Sequence, residues 1–481
     1  MNFIPPELEK ILLHTAELER AFLVGGCVRD ALLGRSGGKD FDVEVFGVNY
    51  EQLVRALTPW GRTDLVGRSF GVVKLNTGSE FTYDFTVPRQ DSKIAPGHKG
   101  FEIKFDPGIT PRQAAARRDF TINAIMYDPR QRETLDFFGG ETDLRYGVLR
   151  HTSEAFVEDP LRVLRGMQFA GRFNLRASLE TIEICRQIKN TFAELAVERV
   201  REEWFKWAVG SAVPSAGLNF LRATEWMDHF PEIKAMIDTP QEPEWHPEGD
   251  VYVHTCHCCD AMAGLEAWQA ADSQSRIVYM LATLAHDFGK PATTHQAVKD
   301  ERLRIVSPGH EEAGAELAAI FLERMRAPQG VQARILPLVR NHLFHWQSMT
   351  DRAVRRLAKR LEPENIQGLC VIMTADSMGR PPLPKVVPQH VTRLLERARE
   401  LQVRHRPPEA ILMGRHLLEL GLTPGKMFGA ILHKAYQAQL EGAFFDLPQA
   451  WGWLAQEENL VWPEEARAAL RKKISETTEI R

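Results

Sequence analysis

The chain has 481 residues, of which 44% are hydrophobic and 26% charged, and its formal net charge is −4. This length exceeds what one hydrophobic core organises, so we expect several domains of an ordinary globular protein. The weakly acidic balance argues against a protein that coats nucleic acid without discrimination, although it permits a structured RNA bound at a local basic patch.

The sequence gives no sign of a membrane or secreted protein. Its apolar runs are too short to cross a bilayer, and its first residues lack the basic-then-apolar layout of a signal peptide. The six cysteines do not form a disulfide framework in a chain of this length. We therefore predict a cytoplasmic protein with no membrane association.

Two patterns divide the chain. Short alternating segments such as 71–75 and 81–87 predict strands in the first part, whereas the pattern after Pro160 is almost wholly helical, with amphipathic stretches at 178–208 and 310–326. The predicted fold class is an α/β head with a mixed or antiparallel sheet, followed by an all-α neck and body and a further all-α domain.

Proline-rich segments mark the predicted domain boundaries. Residues 240–249 form a linker or an ordered entry loop, and residues 380–384 separate a C-terminal tail. The predicted domains are an α/β head at 1–150, a helical neck and body at 151–240, an all-α domain at 241–385 and a helical tail at 386–481.

A glycine turn and a pair of aspartates form the most informative part of the chain. Residues i and i+2 of a strand point to one face, so Asp40 and Asp42 present both carboxylates at one place. Two adjacent hard oxygen ligands suit Mg²⁺, which binds one or two carboxylates together with substrate phosphates. Upstream, Gly25 and Gly26 let backbone N–H groups approach those phosphates, and Arg29 offers a guanidinium fork. This combination predicts a nucleotidyl-transfer site.

Each half of that combination has a simpler explanation. A Gly-Gly pair is most often a turn, and an Asp-x-Asp pair is most often a solvated strand face. The segment between them has helical spacing and ends at Gly34, which predicts a strand, a glycine turn and a short helix ahead of the aspartates. We therefore favour the catalytic interpretation.

A second polar block, Arg-Arg-Asp-Phe-Thr-Ile-Asn-Ala, occupies residues 117–124. Its two arginines are suited to neutralise a triphosphate, and Asp119 and Asn123 are suited to hold sugar or phosphate oxygens. Alternatively, Asp119 is the N-cap of a helix, which is compatible with the first interpretation because helix N-termini also bind phosphates.

Asp159 and Arg162 are three residues apart, so on a helix they share a face. Cytosine and adenine both present an amine donor beside a ring-nitrogen acceptor, which an aspartate and an arginine complement, whereas uracil and guanine present the reverse. Each unpaired buried polar group costs about 1–3 kcal/mol, enough to discriminate strongly. Alternatively, both residues have only structural roles: Asp159, before Pro160, caps a helix, and Arg162 is an ordinary ion-pair partner.

These motifs, in this order over the first half of the chain, resemble those of the class II tRNA nucleotidyltransferases, the CCA-adding enzymes that share a family with bacterial poly(A) polymerases. The resemblance implies that Asp40 and Asp42 bind two Mg²⁺ ions. It also implies that Gly26, Arg29 and Arg118 contact the phosphates of the nucleotide.

The resemblance bears on a third carboxylate and on the base as well. By position in the family, Asp84 is favoured as the third carboxylate over Glu44, which strand alternation places on the aspartate face but which is otherwise a surface residue. The resemblance favours the base-reading role for Asp159 and Arg162, and implies that Arg165 also contacts the nucleotide.

Two further segments resemble parts of the same family of enzymes. Residues 89–112, which contain Gly97-His98-Lys99-Gly100, are the candidate for the flexible loop that full CCA addition requires. The pair Glu198-Arg199 matches a weaker family motif and is expected to buttress the helical neck.

The C-terminal half carries a separate set of metal-binding residue types. His254, the adjacent pair His286-Asp287, and Asp376 follow one another on predicted helices, and imidazole with carboxylate favours a transition metal such as Ni²⁺, Co²⁺ or Mn²⁺. The set resembles an HD domain, a metal-dependent phosphohydrolase module appended to some bacterial CCA-adding enzymes. The resemblance implies either hydrolysis, which we expect on 2′,3′-cyclic phosphate ends, or an idle platform for tRNA. Further candidates for metal or phosphate contact are His246, His310 and His342.

Two other clusters have ordinary explanations. Cys256, Cys258 and Cys259 invite a zinc site, but the second Cys-x-x-Cys knuckle is missing, so buried thiols on a helix are expected. A group of cations on one predicted helix is either a basic patch for structured RNA or a solvated face; its members are Arg352, Arg355, Arg356, Lys359 and Arg360.

The sequence therefore predicts a CCA-adding tRNA nucleotidyltransferase, with tRNA, CTP and ATP as partners and Mg²⁺ at the transfer site. Related alternatives are a CC-only or A-only enzyme and a poly(A) polymerase, although a polymerase acting on arbitrary RNA benefits from a long basic tail that this sequence lacks. A further alternative is an HD phosphohydrolase or regulatory nucleotidyltransferase whose head senses nucleotides. The intact head motifs argue against that alternative.

Overall fold

The computed structural model describes residues 3–35, 38–67, 71–93, 101–106, 108–299, 301–344, 349–456 and 463–478. The glycine-rich core of the candidate flexible loop, 97–100, lies outside these ranges. The chain divides into two compact units, one of Met1–Lys234 with Glu323–Arg326 and one of Ala235–Leu322 with Ala327–Arg481. The finer division into four domains stays a prediction.

The first unit begins as an α/β structure and continues as helices. Its strands are β1 (Ala21–Val24), β2 (Asp40–Val45), β3 (Arg62–Gly67), β4 (Val72–Asn76), β5 (Thr82–Thr86), β6 (Arg89–Lys93), β7 (Phe101–Phe105), β8 (Met126–Asp128), β9 (Glu133–Leu135), β10 (Val148–Leu149) and β11 (Arg176–Ala177). Its helices are α1 (Pro6–His14), α2 (Gly26–Leu32), α3 (Tyr50–Leu57), α4 (Pro111–Ala116), α5 (Gly140–Tyr146), α6 (Leu161–Phe173), α7 (Leu179–Gln187), α8 (Val197–Gly210), α9 (Pro214–Ala223) and α10 (Pro231–Ala235).

A seven-stranded sheet organises the head, with strand order β3-β4-β5-β2-β1-β8-β9. Strands β2 and β5 run parallel, and the other neighbouring pairs are antiparallel, which confirms the predicted mixed sheet. Along β2 the side chains of Phe41, Val43 and Val45 are buried in the core, which also contains the apolar residues of α1 and α3. The alternating polar residues of β2 therefore lie together on the opposite face.

One helical prediction needs correction. The stretch 178–208 is interrupted: α7 ends at Gln187, a 3₁₀ segment spans Lys189–Glu194, and α8 begins at Val197. The Thr191 hydroxyl donates to the carbonyl oxygen of Ile188 at 2.6 Å, a local hydrogen bond that competes with continuation of the helix.

The second unit is mostly helical. Its elements are α11 (Val251–Gly264), α12 (Glu266–Gln269), α13 (Ser273–Ala285), α14 (Lys290–Thr293), β12 (His295–Lys299), β13 (Arg302–Val306), α15 (His310–Arg324), α16 (Gln329–Asn341), α17 (Asp351–Arg360), α18 (Ile366–Met378), α19 (Gln389–Glu400), α20 (Gly414–Glu419), α21 (Lys426–Glu441), α22 (Leu447–Gln456) and α23 (Glu464–Thr478). Within the described ranges, no helix is both long and apolar enough to span a membrane.

The β12–β13 hairpin corrects the expectation of an all-α second half. Its strands pair antiparallel, and Val298 lies opposite Leu303. The helices α11, α13 and α18 pack against one another and contribute a buried core. Farther along the chain, Leu417, Ile431 and Trp451 belong to a separate apolar cluster built from α20 to α23.

The packing of α6 against α9 depends on a glycine. A Cβ at Gly217 would lie 2.6 Å from the carbonyl oxygen of Met167 and 2.8 Å from the indole nitrogen of Trp207. We expect Gly217→Ala to lower the stability of this unit by about 1–3 kcal/mol through overpacking. The measurement is urea unfolding followed by tryptophan fluorescence.

Gly210→Ala is the matched control for this prediction. A Cβ at Gly210 would meet only the flexible Arg172 side chain, at 4.0 Å. Alanine there is expected to be neutral or slightly stabilising, because it restricts the unfolded chain without a clash. Equal unfolding midpoints for the two variants would contradict the packing argument.

Candidate functional site

Three carboxylates meet on the polar face of the head sheet. Asp40 and Asp42 alternate along β2, and Asp42 is the direct register partner of Asp84 on the parallel strand β5. Desolvation by the surrounding atoms raises the pKa of Asp42 above its ordinary value, although its side chain is exposed on the polar face. The charges of Asp84 and Asp40 raise the pKa further, and Arg118 opposes them. The cluster therefore carries repulsion that a bound cation relieves.

The donor set of this cluster fits a hard divalent cation. One carboxylate oxygen of Asp84 accepts from the Nζ atom of Lys74 at 2.9 Å, and the other is buried without a hydrogen-bond partner among the described residues. Because every candidate ligand is a carboxylate oxygen, the chemistry matches Mg²⁺ better than a transition metal.

Glu44 is not a surface residue, in contrast to the alternative expected from the sequence. Its side chain is only 13% exposed, and the Nη2 atom of Arg118 lies 3.2 Å from its carboxylate. The alternation along β2 was the correct signal, since it places Glu44 on the same face as the aspartates. Glu44 thus holds Arg118 beside the carboxylate cluster.

The glycine turn lets charged groups approach the backbone. Gly25 has a φ of 73°, which favours glycine. A Cβ at this position would lie 3.3 Å from the Nη1 atom of Arg118 and 3.6 Å from a carboxylate oxygen of Asp42. The turn into α2, which begins at Gly26, therefore lies against both the carboxylates and their neighbouring cation.

Arg29 is buried and already engaged within the protein. Its Nη1 atom donates to the side-chain oxygen of Asn123 at 2.6 Å, and its Nε atom donates to Asp30 at 2.9 Å. The guanidinium also lies 4.4 Å from the ring centroid of Phe173. These contacts fix the orientation of Arg29 beside the glycine turn.

Asp119 and Asn123 continue the same network. The amide nitrogen of Asn123 donates to Asp119 at 3.0 Å, and Arg165 donates to the other oxygen of Asp119 at 2.7 Å. Burial opposes ionisation, but Arg165 and these hydrogen bonds lower the pKa of Asp119. The N-cap alternative for Asp119 is wrong, because Phe120 is the N-cap of the 3₁₀ turn that follows. The two residues are thus placed to orient arginines.

Asp159 and Arg162 do not share a helical face. Pro160 is the N-cap of α6, and Asp159 precedes it with an extended backbone, φ −125° and ψ 100°. A residue before proline is disfavoured in the helical region, which explains the difference. The N–H of Leu161 donates to Asp159 at 3.1 Å, and Arg199 donates to its other oxygen at 2.9 Å.

Arg162 is held separately, by backbone. Its guanidinium donates to the carbonyl oxygens of Ala155 at 2.6 Å and Arg117 at 2.7 Å. Arg199, expected only to buttress the neck, instead contacts a candidate base-reading residue. The sequence offered no local signal for this contact, because Arg199 and Asp159 are 40 positions apart.

The four predicted HD-site residues come together in the second unit. The Nε2 atom of His254, on α11, lies 3.2 Å from Asp376, on α18, and the Nε2 atom of His286 lies 3.2 Å from Asp287, just after α13. All four residues are buried. The cluster is therefore screened from solvent at the meeting point of three helices.

A second group adjoins the first through Asp287. The Nε2 atoms of His310 and His342 lie 3.3 and 3.9 Å from one Asp287 oxygen, while His286 faces the other. Among the described residues, three sets have candidate ligand atoms within 4.8 Å of one another. Two of them meet at Asp287: His254, Cys258, His286 and Asp376, and Asp287, His310 and His342. The third is His246, Glu248 and His254. Two adjacent cation positions with Asp287 between them match this arrangement.

The histidines are oriented as metal ligands are. The Nδ1 atoms of His286, His310 and His342 lie 2.6, 2.6 and 2.7 Å from backbone carbonyl oxygens, which only accept hydrogen bonds. Each Nδ1 therefore carries the proton, and each Nε2 presents a lone pair. All three Nε2 atoms are buried without a hydrogen-bond partner in the described part of the chain. The residues present fit a metal that accepts imidazole and carboxylate ligands.

Two residues of this site escaped the sequence analysis. Glu248 lies 2.7 Å from the Nδ1 atom of His254 and 2.9 Å from that of His246. Burial opposes its ionisation, yet these hydrogen bonds lower the pKa of Glu248 to about 2. Cys258 is buried as expected, but its sulfur lies 3.3 Å from the Nε2 atom of His254. Its spacing of four from His254 on a helix was the available signal.

Two family models match the chain. The Poly A polymerase head domain matches residues 21–150, and the HD domain matches residues 255–380. The Multifunctional CCA protein of Nitrosococcus oceani is 34% identical over 369 residues, which cover 75% of this chain and 84% of that protein. The Multifunctional CCA protein of Xanthomonas campestris pv. campestris is 33% identical over 403 residues, which cover 79% of this chain and 92% of that protein.

Solved structures share the fold. A CCA-adding enzyme in complex with CTP has a TM-score of 0.61 and 18% identity, with coverage of 95% of this chain and 97% of that one. The Thermotoga maritima CCA-adding enzyme complexed with tRNA has a TM-score of 0.55 and 18% identity, with the same two coverages. At this identity the likeness concerns the arrangement of helices and strands.

The carboxylate cluster generates a prediction about stability. Because desolvation and the charges of Asp84 and Asp40 raise the pKa of Asp42, its charged form destabilises the folded protein when divalent cations are absent. In EDTA, the wild-type protein should gain stability as pH falls from 7 toward that raised pKa. Asp42→Asn should have a higher Tm than wild type in EDTA at pH 7, a flatter pH dependence and a smaller rise in Tm with Mg²⁺.

The control is Glu133→Gln, which removes an exposed carboxylate from β9 of the same sheet. It should leave both the Tm and its response to Mg²⁺ unchanged. If Asp42→Asn lowered the Tm in EDTA, the carboxylates would not repel one another as the geometry indicates.

Proposed function

The chain belongs to the multifunctional CCA protein family, and from that premise we propose that it adds C, C and A to the 3′ end of tRNA without a nucleic-acid template. The substrates are CTP, ATP and tRNA, and pyrophosphate is released. Because the protein acts on tRNA, we propose that it works in the cytoplasm. The observation that carries the proposal is the cluster of Asp40, Asp42 and Asp84 beside Arg118.

We assign a role in nucleotidyl transfer to each residue of the carboxylate cluster. Asp40 and Asp42 would hold Mg²⁺ with Asp84 beside them, and bound Mg²⁺ would polarise the phosphoryl oxygens and stabilise the charge that develops on them. The tRNA 3′-hydroxyl attacks the α-phosphate of the nucleotide, and the bond from the α-phosphorus to the pyrophosphate oxygen breaks. Arg118, oriented by Glu44, neutralises the phosphates at the glycine turn.

Base choice is assigned to Asp159 and Arg162, with Arg165 on the nucleotide. Arg199 restrains the Asp159 carboxylate, and two backbone carbonyls restrain the Arg162 guanidinium. A restrained acceptor and donor discriminate better than mobile ones, because they cannot turn to suit uracil or guanine.

This assignment gives a prediction about fidelity. Asp159→Ala should raise the relative incorporation of UTP and GTP by about 10-fold or more, since one mismatched polar group is worth about 1–3 kcal/mol. Arg199→Ala should have a smaller effect in the same direction, because it frees the carboxylate without removing it. The readout is kcat/KM for each nucleotide on tRNA that lacks its 3′ end.

The matched control is Arg201→Ala, which removes a second cation of α8 that does not contact Asp159; its partner is the backbone oxygen of Arg326. It should leave selectivity unchanged. An Asp159→Ala variant that melts early but keeps full selectivity would show that Asp159 serves only the start of α6.

Incubation of the protein with tRNA lacking its 3′ end, and with each NTP singly and in pairs, tests the proposed activity. CTP alone should give two additions, and CTP with ATP should give three and then stop. Addition of CC only, of A only, or of a long A tract would identify the corresponding alternative. Asp40→Ala and Asp42→Ala should each abolish addition while retaining tRNA binding.

A second activity is favoured by the three buried, unpartnered Nε2 atoms of the HD cluster. We propose metal-dependent hydrolysis of 2′,3′-cyclic phosphate ends: water adds to phosphorus, the bond from phosphorus to O3′ breaks, and the phosphate stays on O2′. This frees the 3′-hydroxyl that nucleotide addition extends. His254, His286, Asp287 and Asp376 would hold a transition metal such as Ni²⁺, Co²⁺ or Mn²⁺, and the bound metal would supply the activation of that water. Glu248 orients His254 for this role.

Asp287 faces both ligand sets, so its loss should matter most. Asp287→Ala should abolish cyclic-phosphate hydrolysis across a panel of Ni²⁺, Co²⁺, Mn²⁺ and Mg²⁺ and should spare CCA addition. Glu316→Gln, a change on the exposed side of α15, is the control and should keep hydrolysis. The hydrolase proposal would be contradicted if Asp287→Ala hydrolysed the cyclic phosphate as fast as wild type, or if wild type hydrolysed none with any metal. The domain would then serve only as a platform for tRNA.

A further inference from the structure

Two cavities of the second unit adjoin each other. The first, of about 530 Å³, is lined by HD-cluster residues that include Asp287 and His310. The second, of about 900 Å³, runs along α17. Leu343 and Phe344 line both cavities. The second cavity therefore lies next to the one that contains the metal-binding cluster, with these two side chains between them.

A row of arginines lines the second cavity. Arg352, Arg356 and Arg360 follow one another at intervals of four on α17, so they lie on one face. The basic patch expected from the sequence had two more members, which the structure separates from the cavity. Arg355 is buried and donates to the carbonyl oxygen of Leu440 at 3.0 Å, and Lys359 pairs with Glu362 on another face.

The row carries more positive charge than its neighbours offset. Arg352 and Arg356 share the single carboxylate of Glu441. Arg360 forms no ion pair with any described carboxylate, and burial together with the charge of Arg356 lowers its pKa. On the far wall, Arg340 pairs with Glu312 at 2.7 Å, and Glu311 also lines the cavity. The four arginines thus outnumber the three glutamates beside them, Glu441, Glu311 and Glu312, by one charge, which favours an anionic chain on this concave surface.

We propose that the groove along α17 binds the single-stranded 3′ segment of an RNA whose terminal phosphate ester occupies the HD cavity. The inference rests on the proposed hydrolase function and identifies its substrate class as RNA ends rather than free nucleotides. The arginine row contacts successive phosphates, and Phe344, at the junction of the cavities, offers a ring on which a base stacks.

An acidic polypeptide is the competing occupant for a groove of this charge. The position of the groove next to the HD cavity favours RNA, because a phosphate-bearing chain can place its terminal ester beside the metal ligands while its other phosphates lie on α17. The spacing of the arginines along one helix also suits a linear polyanion better than a compact anion.

The test compares two substrates in the presence of the most active metal. One is a nucleoside 2′,3′-cyclic phosphate, and the other is an RNA oligonucleotide that ends in the same group. Wild type should prefer the oligonucleotide in kcat/KM. Arg360→Ala should raise KM for the oligonucleotide about 5-fold with little change in kcat, so that the preference falls. The slope of log(1/KM) against log[salt] should become shallower by about 0.7 for one lost phosphate contact on a single strand.

Lys359→Ala is the matched control, since it removes a neighbouring cation of α17 that does not line the cavity. It should leave the substrate preference and the salt slope as in wild type. A preference that is unchanged in Arg360→Ala, or equally reduced in Lys359→Ala, would overturn the groove assignment alone.

The remaining outcomes are also decisive. Absence of turnover of both substrates by wild type with every metal would remove the proposed hydrolase function, and this inference with it. Inhibition by a polyaspartate peptide as strong as inhibition by an unreactive RNA of equal charge would assign the groove to an acidic polypeptide.

Discussion

The repulsion between carboxylates that the fold holds side by side is the constraint on which the head depends. The parallel pairing of β2 with β5 fixes Asp42 opposite Asp84, and the burial of one face of β2 fixes which residues share the other. A shift of one residue in this register would bring apolar side chains to the polar face. The hydrophobic core of the head thus maintains an unfavourable charge cluster, which a divalent cation makes favourable.

The candidate metal ligands of the second unit differ in chemistry from those of the head. Backbone carbonyls at the ends of helices fix the tautomers of His286, His310 and His342, and Glu248 does the same for His254. Imidazole nitrogens then converge with buried carboxylates, a donor set that binds transition metals more readily than Mg²⁺. Each of the two sites is contained within one unit, so each set of ligands is independent of the other.

Around the head site, several candidate ligand side chains are hydrogen-bonded to one another. Asn123 joins Arg29 to Asp119, which in turn holds Arg165. Such chains of charge-assisted hydrogen bonds limit the positions available to each guanidinium. An enzyme that selects nucleotides without a nucleic-acid template requires such restraint. Its selectivity depends on side chains that cannot change position to pair with the wrong base.

The sequence by itself determined the order of the motifs, the mixed sheet, the shared face of Asp40 and Asp42 and the HD residue set, because strand alternation and residue type are local properties. Tertiary structure decided the contacts between distant residues: the pairing of Arg199 with Asp159, the place of Glu248 behind His254, and the separation of one basic patch into a groove-lining row and buried or paired cations. No spacing encodes these contacts, since each depends on how whole helices pack.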